Sequence, residues 1–532
     1  MSQAIDQTAG EPGGYYNSLP YDSMPFAHTQ PSSLAALGTL LGLMPPNVSK
    51  ARVLELGCAS GGNILPLAAR FPLARFTGID LSTRHVDMAN ERIRALGLGN
   101  VAIYQGDLAD PDVVEGEFDY IICHGVFSWV PRAAQEGILN ICGGRLAPNG
   151  IAYVSYNVLP GWQLRQVIRD IFQFHTAHIA DLRERVARGR WLLEQLANLS
   201  SDATPYGQLL RKEARQLEKQ PDSYILGEFL VDENAPCYFH EFVERAERAG
   251  LAYLSDTDLH TSQLAAVSPD MNKLLTAIAG PGTRMAEQYF DFFQGRQFRQ
   301  SLLVKAQVAD QINRTIDHNR IAGLHFASKL RVAPELSKND ATVLRDPAGP
   351  TITTNDPAVA KALDVLGTCW PETRNLRQLL DLLETKGEAE RRAVADRLLN
   401  SMKQIIVAGL ITMASEPLTI GRAAAEKPNA WPLARYEAQV GQPWLTCLRH
   451  APVKLDRFGE AVLSLLDGET DRATIGARLL DAIDNGTLRL DSLDGELETD
   501  GTRGLLAQKV AERVQVALGQ IEALALLDPA SS

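Results

Sequence analysis

The sequence predicts an α/β fold with a parallel sheet covered by helices on both faces, followed by mainly helical modules. Three observations indicate this fold. Short apolar segments alternate with helical segments from Ala51 to about residue 158. A glycine-rich turn follows the first apolar segment, and acidic residues stand at or near the ends of the first three. Such an alternation is typical of βαβ units, whose parallel strands are buried on both faces.

Five strands are predicted in the first part of the chain. They are the segments ARVLELG, ARFTGID, VAIYQGD, FDYIICHG and GIAYVSYN, and stretches such as HVDMANERIRALG between them have the spacing of helices. Residues 162–220 are predicted as long helices inserted after the fifth strand. Two later segments, AYLSD and FRQSLLV, have strand character and are expected to complete the same sheet.

The last third of the chain contains a weak internal repeat. The segment at 362–380 aligns with the segment at 462–480. Because repeated helical units usually stack, the two copies predict paired small modules of the winged-helix type. A hairpin is expected at 341–354 around Asp-Pro-Ala-Gly, and a solvated acidic loop is expected at 484–501.

These patterns divide the chain into five segments. A length of 532 residues already suggests several domains of about 150 residues each. The expected segments are a flexible tail at 1–14, an α/β core at 15–158, a helical region with the last core strands at 159–304, and two C-terminal modules at 305–415 and 416–532.

Composition and charge exclude several classes of function. The chain is 45% hydrophobic and 22% charged with a net charge of −12, so no overall attraction to nucleic acid or anionic membranes is expected. Six cysteines are scattered without a CxxC pair, and no third ligand accompanies His175 and His178, so no metal site is predicted. No signal peptide is visible, and the apolar stretch near the N-terminus is too short to span a bilayer. We therefore expect a cytoplasmic protein without membrane insertion.

The strongest chemical signal is the segment VLELGCASGGN at residues 53–63. It brings Gly57 and Gly61 to a turn that opens a helix, where glycines let the backbone pass close to a ligand. The same segment also fits G-x-A-x-x-G, a variant of the dinucleotide-binding motif. The glycines alone therefore leave a nicotinamide dinucleotide open as the ligand.

Three acids narrow the choice of cofactor. Glu55 stands two residues before Gly57, where a carboxylate repels pyrophosphate but suits a cofactor with an ammonium or sulfonium charge. Asp80 ends the second strand, where it can accept from both ribose hydroxyls, and Asp107 ends the third, where it can accept from an adenine amino group. All three lie at the carboxyl ends of parallel strands, the edge at which open α/β sheets bind ligands. Taken singly, Asp80 or Asp107 is explained equally well as a helix N-cap.

This ordered set resembles the class I S-adenosylmethionine-dependent methyltransferases, whose glycine motif and strand-end acids match Glu55, Gly57, Gly61, Asp80 and Asp107. The resemblance implies a seven-stranded Rossmann-like core with helical insertions, and it implies S-adenosyl-L-methionine as the cofactor. It also explains the two late strands, because such folds have a seventh, antiparallel strand beside the sixth. NAD(P) is the alternative. The implied cofactor-binding residues are Glu55, Gly57, Cys58, Gly61, Asn63, Asp80, Leu81, Asp107, Leu108 and His124.

Aromatic and amide side chains are expected at the acceptor site. Methyl transfer from a sulfonium mainly requires a positioned nucleophile, and an apolar, aromatic site lowers the pKa of an amine nucleophile. HGVFSWVP follows strand four, and SYNVLPGW follows strand five. Before the core, YYNSLPYDSMPFAHTQP supplies aromatics that either cover the pocket or pack as an N-terminal arm. We predict Tyr156, Asn157, Trp162 and Tyr21 as the acceptor site, with a packing corner as the alternative for Trp162.

A narrower resemblance rests on Tyr-Asp-x-x-Pro-Phe before the core, HGVFSWVP, SYNxxPGW and the helical region that follows. This combination is similar to the bacterial methyltransferases with a methyltransferase regulatory domain, a group that includes the rickettsial protein-lysine methyltransferases acting on an outer-membrane autotransporter. The resemblance implies N-methylation of lysine side chains in a protein or peptide substrate, and a homodimer stays open.

Two other substrate classes are disfavoured by the strand-four end. It lacks the Asn/Asp-Pro-Pro-Tyr/Phe sequence of methylases that flip a DNA base, so no nucleic-acid substrate is expected. It also lacks an acid pair like the double-glutamate loop of arginine methyltransferases. The remaining alternatives are a small-molecule N- or O-methyltransferase and a non-catalytic cofactor-binding scaffold.

Overall fold

The structure is a computed structural model that describes residues 23–262, 269–279, 283–337, 341–488 and 503–529. Several expectations from the sequence fall outside the described residues. They are the flexible tail at 1–14, the aromatic residues Tyr15, Tyr16 and Tyr21, and most of the acidic loop at 484–501.

A seven-stranded sheet lies at the centre of the first half of the chain. Its strands are β1 (Arg52–Leu56), β2 (Arg75–Asp80), β3 (Val101–Gln105), β4 (Phe118–Cys123), β5 (Leu146–Asn157), β6 (Leu251–Asp256) and β7 (Phe298–Lys305). Their order is β3-β2-β1-β4-β5-β7-β6. β7 pairs antiparallel with both β5 and β6, whereas β1 to β5 pair in parallel. The predicted core is confirmed, including the return of the two late strands.

The helices of this half either cover the sheet or form an insertion. They are α1 (Pro31–Leu40), α2 (Ile64–Arg70), α3 (Thr83–Leu96), α4 (Arg132–Arg145), α5 (Gln163–Thr176), α6 (Leu182–Leu199), α7 (Pro205–Glu218), α8 (Asp222–Ile225), α9 (Phe239–Arg248), α10 (Pro269–Ala279) and α11 (Thr283–Gln294). A single π-helical turn, Leu226–Leu230, follows α8.

The sheet is buried on both faces, as its apolar strands predict. Successive residues of β1 belong to two separate cores: Val53 packs with α1, α2 and α3, and Leu54 packs with α4 and α9. This alternation follows from the two-residue period of a strand. The inserted helices α5, α6 and α7 surround a core of their own, centred on Phe172 and Phe229.

The C-terminal half is mainly helical with short strands. Its elements are α12 (His318–Ala322), β8 (His325–Ala327), β9 (Arg331–Val332), β10 (Thr342–Arg345), β11 (Thr351–Thr354), α13 (Pro357–Cys369), β12 (Arg374–Asn375), α14 (Leu376–Leu382), α15 (Gly387–Val407), β13 (Thr412–Ala414), α16 (Pro432–Gln439), β14 (Leu445–Thr446), β15 (Pro452–Val453), α17 (Arg457–Leu465), α18 (Arg472–Asp484) and α19 (Arg503–Ala523).

The repeat and the hairpin of this half have structural counterparts. β10 and β11 pair antiparallel, which confirms the predicted hairpin. Leu366 and Leu466, which align in the two copies, are both buried, as are Leu379 and Leu479. The aligned leucines are thus core residues in both copies, but the first copy packs in a core continuous with one face of the α/β sheet, whereas the second packs in a separate core.

Two classes of feature are absent from the part of the chain that the structure describes. No helix there is both long and apolar enough to cross a membrane. Within the same residues, no three His, Cys, Asp or Glu side chains come together as potential metal ligands.

Candidate active site

The turn between β1 and α2 has the backbone geometry that its glycines predict. Gly57 and Gly61 have φ values of +72° and +78°, in the left-handed region that favours glycine. A Cβ atom on Gly57 would lie 2.4 Å from Cγ2 of Val126, so a larger residue there would displace the segment after β4. The N–H groups of Gly57 and Cys58 both donate to the carbonyl of Ile79, which ties the turn to the end of β2.

Asp80 joins the glycine turn to the start of α3. Its Oδ2 accepts from the backbone N–H of Ala59 at 2.8 Å, and its Oδ1 accepts from that of Ser82 at 2.9 Å. Nδ1 of His85 lies 3.3 Å from the same Oδ1. Because Ala59 has a φ of +46°, which is strained for a residue with a side chain, the bond from Asp80 helps to hold the turn in shape. Asp80 therefore shapes the site as well as standing at its edge.

Glu55 is buried beneath the glycine turn, with 4% of its surface exposed. Its Oε1 accepts from Nδ2 of Asn63 at 2.8 Å, and its Oε2 has no hydrogen-bond partner among the described residues. Burial raises the pKa of Glu55 to about 8; the bond from Asn63 opposes this shift, and the carboxylate of Asp80 adds to it. A buried carboxylate oxygen without a partner needs a donor or a positive charge. The position thus fits a cofactor that carries an ammonium group.

The other predicted cofactor residues differ in their surroundings. Cys58 is buried, and its Sγ fills the space beside Gly78 of β2. Leu81 is half-buried, whereas Leu108 is buried in the core on the α4 side of the sheet. Asp107 is exposed, and its Oδ1 accepts from the backbone N–H two residues further on. Asp107 therefore has a local structural role, and its hydrogen bond within the described residues uses one of its two carboxylate oxygens.

His124 follows β4 and lies among neutral rings. Its Nδ1 is 2.7 Å from the hydroxyl oxygen of Tyr153. Its ring centroid is 3.9 Å from that of Phe26 and 6.2 Å from that of Phe298. Burial lowers the pKa of His124 to about 3, and the nearby His28 adds to this shift, so the imidazole is neutral at physiological pH.

Tyr156 and Asn157 lie on opposite faces of the sheet, which corrects the prediction that both line the acceptor site. The Tyr156 ring is 1% exposed and stacks on Phe242 with a centroid distance of 4.0 Å. Its hydroxyl lies 3.1 Å from Oγ of Ser301, and burial raises its pKa well above the usual range. Adjacent strand residues point to opposite faces of a sheet. Tyr156 therefore packs in the core with Phe242, and Asn157 faces the other side of the sheet.

Asn157 shares its face with the neutral rings. It is the cross-strand partner of Phe298, and such partners lie on the same side of a sheet. Its backbone N–H donates to Oγ of Ser128 at 2.9 Å, and its Nδ2 is buried without a hydrogen-bond partner in the described parts of the chain. Asn157 therefore stays a predicted acceptor-site residue, on the same face as Phe298.

Trp162 occupies the packing corner that the sequence left open as its alternative. It is 3% exposed, and its Nε1 donates to Oδ1 of Asn234 at 2.9 Å. Its ring meets that of Trp129 edge to face at 5.8 Å. Its polar atom is bound by Asn234 of the inserted region and its ring packs on Trp129, which follows β4, so the surroundings of Trp162 fit a packing corner.

Comparisons with known proteins agree with this geometry. Three family models match the chain. Residues 53–150 match the family described as "Methyltransferase domain", and residues 221–305 match "Predicted methyltransferase regulatory domain". Residues 426–526 match "PKMT, C-terminal winged helix domain". An uncharacterized protein of Rickettsia prowazekii (strain Madrid E) is 34% identical over 91% of this chain and 88% of its own length. The chain belongs to the S-adenosylmethionine-dependent methyltransferases with a regulatory domain.

Further relatives support this assignment. A second uncharacterized protein of Rickettsia prowazekii is 37% identical over 44% of this chain and 94% of its own length. The structure of PKMT2 from Rickettsia typhi in complex with AdoHcy covers 96% of this chain and 100% of its own, with 29% identity and a TM-score of 0.83. The cofactor of this methyltransferase is therefore S-adenosyl-L-methionine, as predicted, and the NAD(P) alternative is not supported.

His450 contacts the candidate site of this methyltransferase, and the sequence did not predict it. Nε2 of His450 lies 2.8 Å from Oδ1 of Asn63, the residue that binds Glu55. No local signal in the sequence marks His450, because it lies in a different domain and nearly 400 residues from Asn63. Only the docking of the winged-helix domain against α2 brings the two side chains together.

Proposed function

We propose that this methyltransferase N-methylates lysine side chains of a protein substrate. The proposal is supported by the resemblance to rickettsial protein-lysine methyltransferases and by the similarity to PKMT2 of Rickettsia typhi over nearly the whole chain. The observation that carries it is the chemistry of the acceptor side, where neutral aromatic rings and the amide of Asn157 lie at the ends of β4 and β5 and the start of β7.

The edge of the sheet at the carboxyl ends of β1 to β5 has two parts: the cofactor half, with Glu55, Asp80 and Asp107, and the acceptor half, with the neutral rings and Asn157. The residues of the cofactor half would hold S-adenosylmethionine. Glu55 would take its ammonium group, Asp80 its ribose hydroxyls and Asp107 its adenine amino group, with the glycine turn alongside. When bound, the cofactor supplies a methyl group activated by the sulfonium charge. The chain mainly has to orient both reactants, because the leaving group needs no further activation.

The acceptor half favours an uncharged amine. The rings of Phe26, His124 and Phe298 lie together, and His124 is neutral. Desolvation beside such rings disfavours an ammonium ion, so a lysine side chain entering here gives up its proton more readily than it does in water. The side-chain amide of Asn157, on the same face, can accept a hydrogen bond from the amine and orient its lone pair.

The test uses the purified full chain, S-adenosylmethionine labelled in its methyl group and a bacterial lysate. We expect label in protein bands that yields N-methyllysine after acid hydrolysis. The matched control is Asp80→Ala, which should abolish the incorporation. Label confined to the small-molecule fraction would contradict the proposal in favour of a small-molecule acceptor, and label on another amino acid would contradict the lysine assignment. A homodimer and a cytoplasmic location remain predictions.

A further inference from the structure

The winged-helix domain reaches the cofactor site through one hairpin. Residues 447–451 connect β14 to β15 and pack against the segment that precedes α1. There, Nε2 of Gln30 donates to the carbonyl of Arg449 at 2.8 Å. The same turn brings the side chain of His450, which is 3% exposed, to Asn63 at the start of α2.

Asn63 is held by groups from distant parts of the chain. Its Oδ1 accepts from the backbone N–H of Phe26 at 2.9 Å and lies 2.8 Å from Nε2 of His450. Oγ1 of Thr29 lies 3.0 Å from this oxygen and 2.8 Å from the carbonyl of Phe26, and its single proton can serve only one of them. At the other end of the amide, Nδ2 donates to Oε1 of Glu55 at 2.8 Å.

The possible positions of the protons fix the role of each atom. A backbone N–H can only donate, so the atom of Asn63 that faces Phe26 is its oxygen. Nε2 of His450 faces the same oxygen and must carry a proton, because two acceptors would repel each other. Burial lowers the pKa of His450 to about 3, with a contribution from Arg70, so the ring is neutral with its proton on Nε2. Phe26 and His450 thus both donate to the Asn63 oxygen, and the Thr29 hydroxyl then donates to the carbonyl of Phe26, the nearer of its two acceptors.

We propose that His450 is a positioning residue for the cofactor: it fixes the Asn63 amide so that Nδ2 donates to Glu55 and leaves the second Glu55 oxygen free for the ligand. The proposal rests on the assignment of Glu55 and Asn63 to the cofactor site and does not depend on the lysine substrate. It gives the winged-helix domain a part in cofactor binding, exerted through Asn63 and Glu55. Because such coupling is reciprocal, bound cofactor should also strengthen the docking of the 447–451 turn.

The test compares two substitutions of similar size. His450→Gln keeps an N–H donor near the position of Nε2, whereas His450→Met removes it. Residue 450 has a φ of +58°, so any backbone strain in the left-handed region applies to both variants alike. We expect His450→Met to raise the Kd for S-adenosylhomocysteine in calorimetry about tenfold, the effect of losing one buried hydrogen bond. His450→Gln should stay within about threefold of the wild type.

The outcomes separate this role from a structural one. Gln30→Met is the control, because it removes the bonds of Gln30 with the carbonyl of Arg449 and with Nη1 of Arg70 without touching Asn63. It should leave the Kd nearly unchanged, and an equal loss in this control would overturn the proposal in favour of general docking. Wild-type affinity in His450→Met would also overturn it, as would an equal loss in His450→Gln. Absence of binding by the wild-type chain would instead contradict the cofactor-site assignment itself.

A second measurement needs no substitution. Hydrogen exchange of the backbone amides at 447–451 is followed in the wild-type chain with and without S-adenosylhomocysteine. We expect exchange to slow several-fold when the ligand is bound, in proportion to the coupling. Unchanged exchange at saturating ligand would overturn the proposal even if the His450→Met variant fails to fold.

Discussion

The two halves of the ligand edge are built in different ways. In the cofactor half, Glu55, Asn63 and Asp80 come from one stretch of the chain. Asp80 is oriented by the glycine turn and by the start of α3, Glu55 is bound by Asn63, and Asn63 itself is also held by Phe26 and His450. In the acceptor half, the contributing residues are far apart in the chain. Phe26 lies before the core, and Phe298 lies on the late antiparallel strand.

The halves also differ in chemistry. The cofactor half holds carboxylates whose oxygens bind backbone N–H groups or an amide, which suits a charged ligand with many donors. The acceptor half presents neutral rings and one amide, which suits a nucleophile that has to lose its charge. Substitutions in the first half should therefore change cofactor affinity, and substitutions in the second should change turnover at unchanged affinity.

The largest effect is expected for Asp80→Ala. The carboxylate holds the strained Ala59 in the turn, accepts from the N–H of Ser82, the N-cap of α3, and is the proposed ribose ligand. Its removal should abolish S-adenosylmethionine binding in calorimetry, a loss of more than about a hundredfold in affinity. The matched control is Asp110→Ala, a change at an exposed acid in the segment between β3 and β4, which should bind normally. Unchanged affinity of Asp80→Ala would remove the cofactor assignment.

A smaller effect with a characteristic pH dependence is expected for Glu55→Gln. Burial raises the pKa of Glu55 to about 8, so the free protein holds this carboxyl mostly protonated at pH 7. A cationic ligand favours the ionised form, so wild-type binding should release a proton and strengthen as the pH rises from 6 to 8. The Gln variant should show no such dependence and should bind about tenfold more weakly at pH 8. Calorimetry in two buffers of different ionisation enthalpy measures both quantities.

A rise in pH strengthens cofactor binding through Glu55, but it lowers the stability of the cofactor-free protein through the same carboxyl. The ordinary pKa of 4.5 applies to the unfolded chain, so the stability that the protonated Glu55 contributes is lost as the pH rises from about 4.5 through 8. The neutral amide of Glu55→Gln escapes this loss. Without cofactor, the variant should melt about 2 °C above the wild type at pH 8 and at the same temperature at pH 4.5. A variant that melts lower at pH 8 would contradict the raised pKa.

The comparison also explains which parts of the site were predictable from the sequence. The glycine turn and Asp80 were predictable because their geometry is local: the strand ends, the positive φ values and the helix start all lie within one βαβ unit. The sheet order with its antiparallel strand followed from the resemblance. The positions of Tyr156 and Trp162 were not predictable, since a motif does not reveal which face of β5 each residue takes or what the inserted helices cover. His450 required the docking of a separate domain.

In the acceptor half, Asn157→Ala should separate turnover from cofactor binding. The residue lies opposite Phe298 and has no contact with the glycine turn among the described hydrogen bonds. We expect kcat on a protein substrate to fall about tenfold, because one hydrogen bond that orients the amine is lost. The Kd for S-adenosylmethionine should not change. An equal loss of affinity for S-adenosylmethionine would place Asn157 in the cofactor half and contradict its assignment to the acceptor half.

The smallest effect is expected for Tyr156→Phe, which tests the correction within the motif SYN. Within the described residues, the hydroxyl of Tyr156 bonds to Ser301, itself bound to Asp256, and its ring is enclosed by the core. Removing the hydroxyl should lower the free energy of unfolding by about 1 kcal/mol, measured by urea denaturation, because one buried hydrogen bond is lost. Turnover should stay within about twofold of the wild type, since the ring points away from Asn157 and the neutral rings. A tenfold fall in kcat at unchanged stability would instead put Tyr156 at the reacting amine, and the alternation of side chains along β5 would then no longer separate the core from the acceptor half.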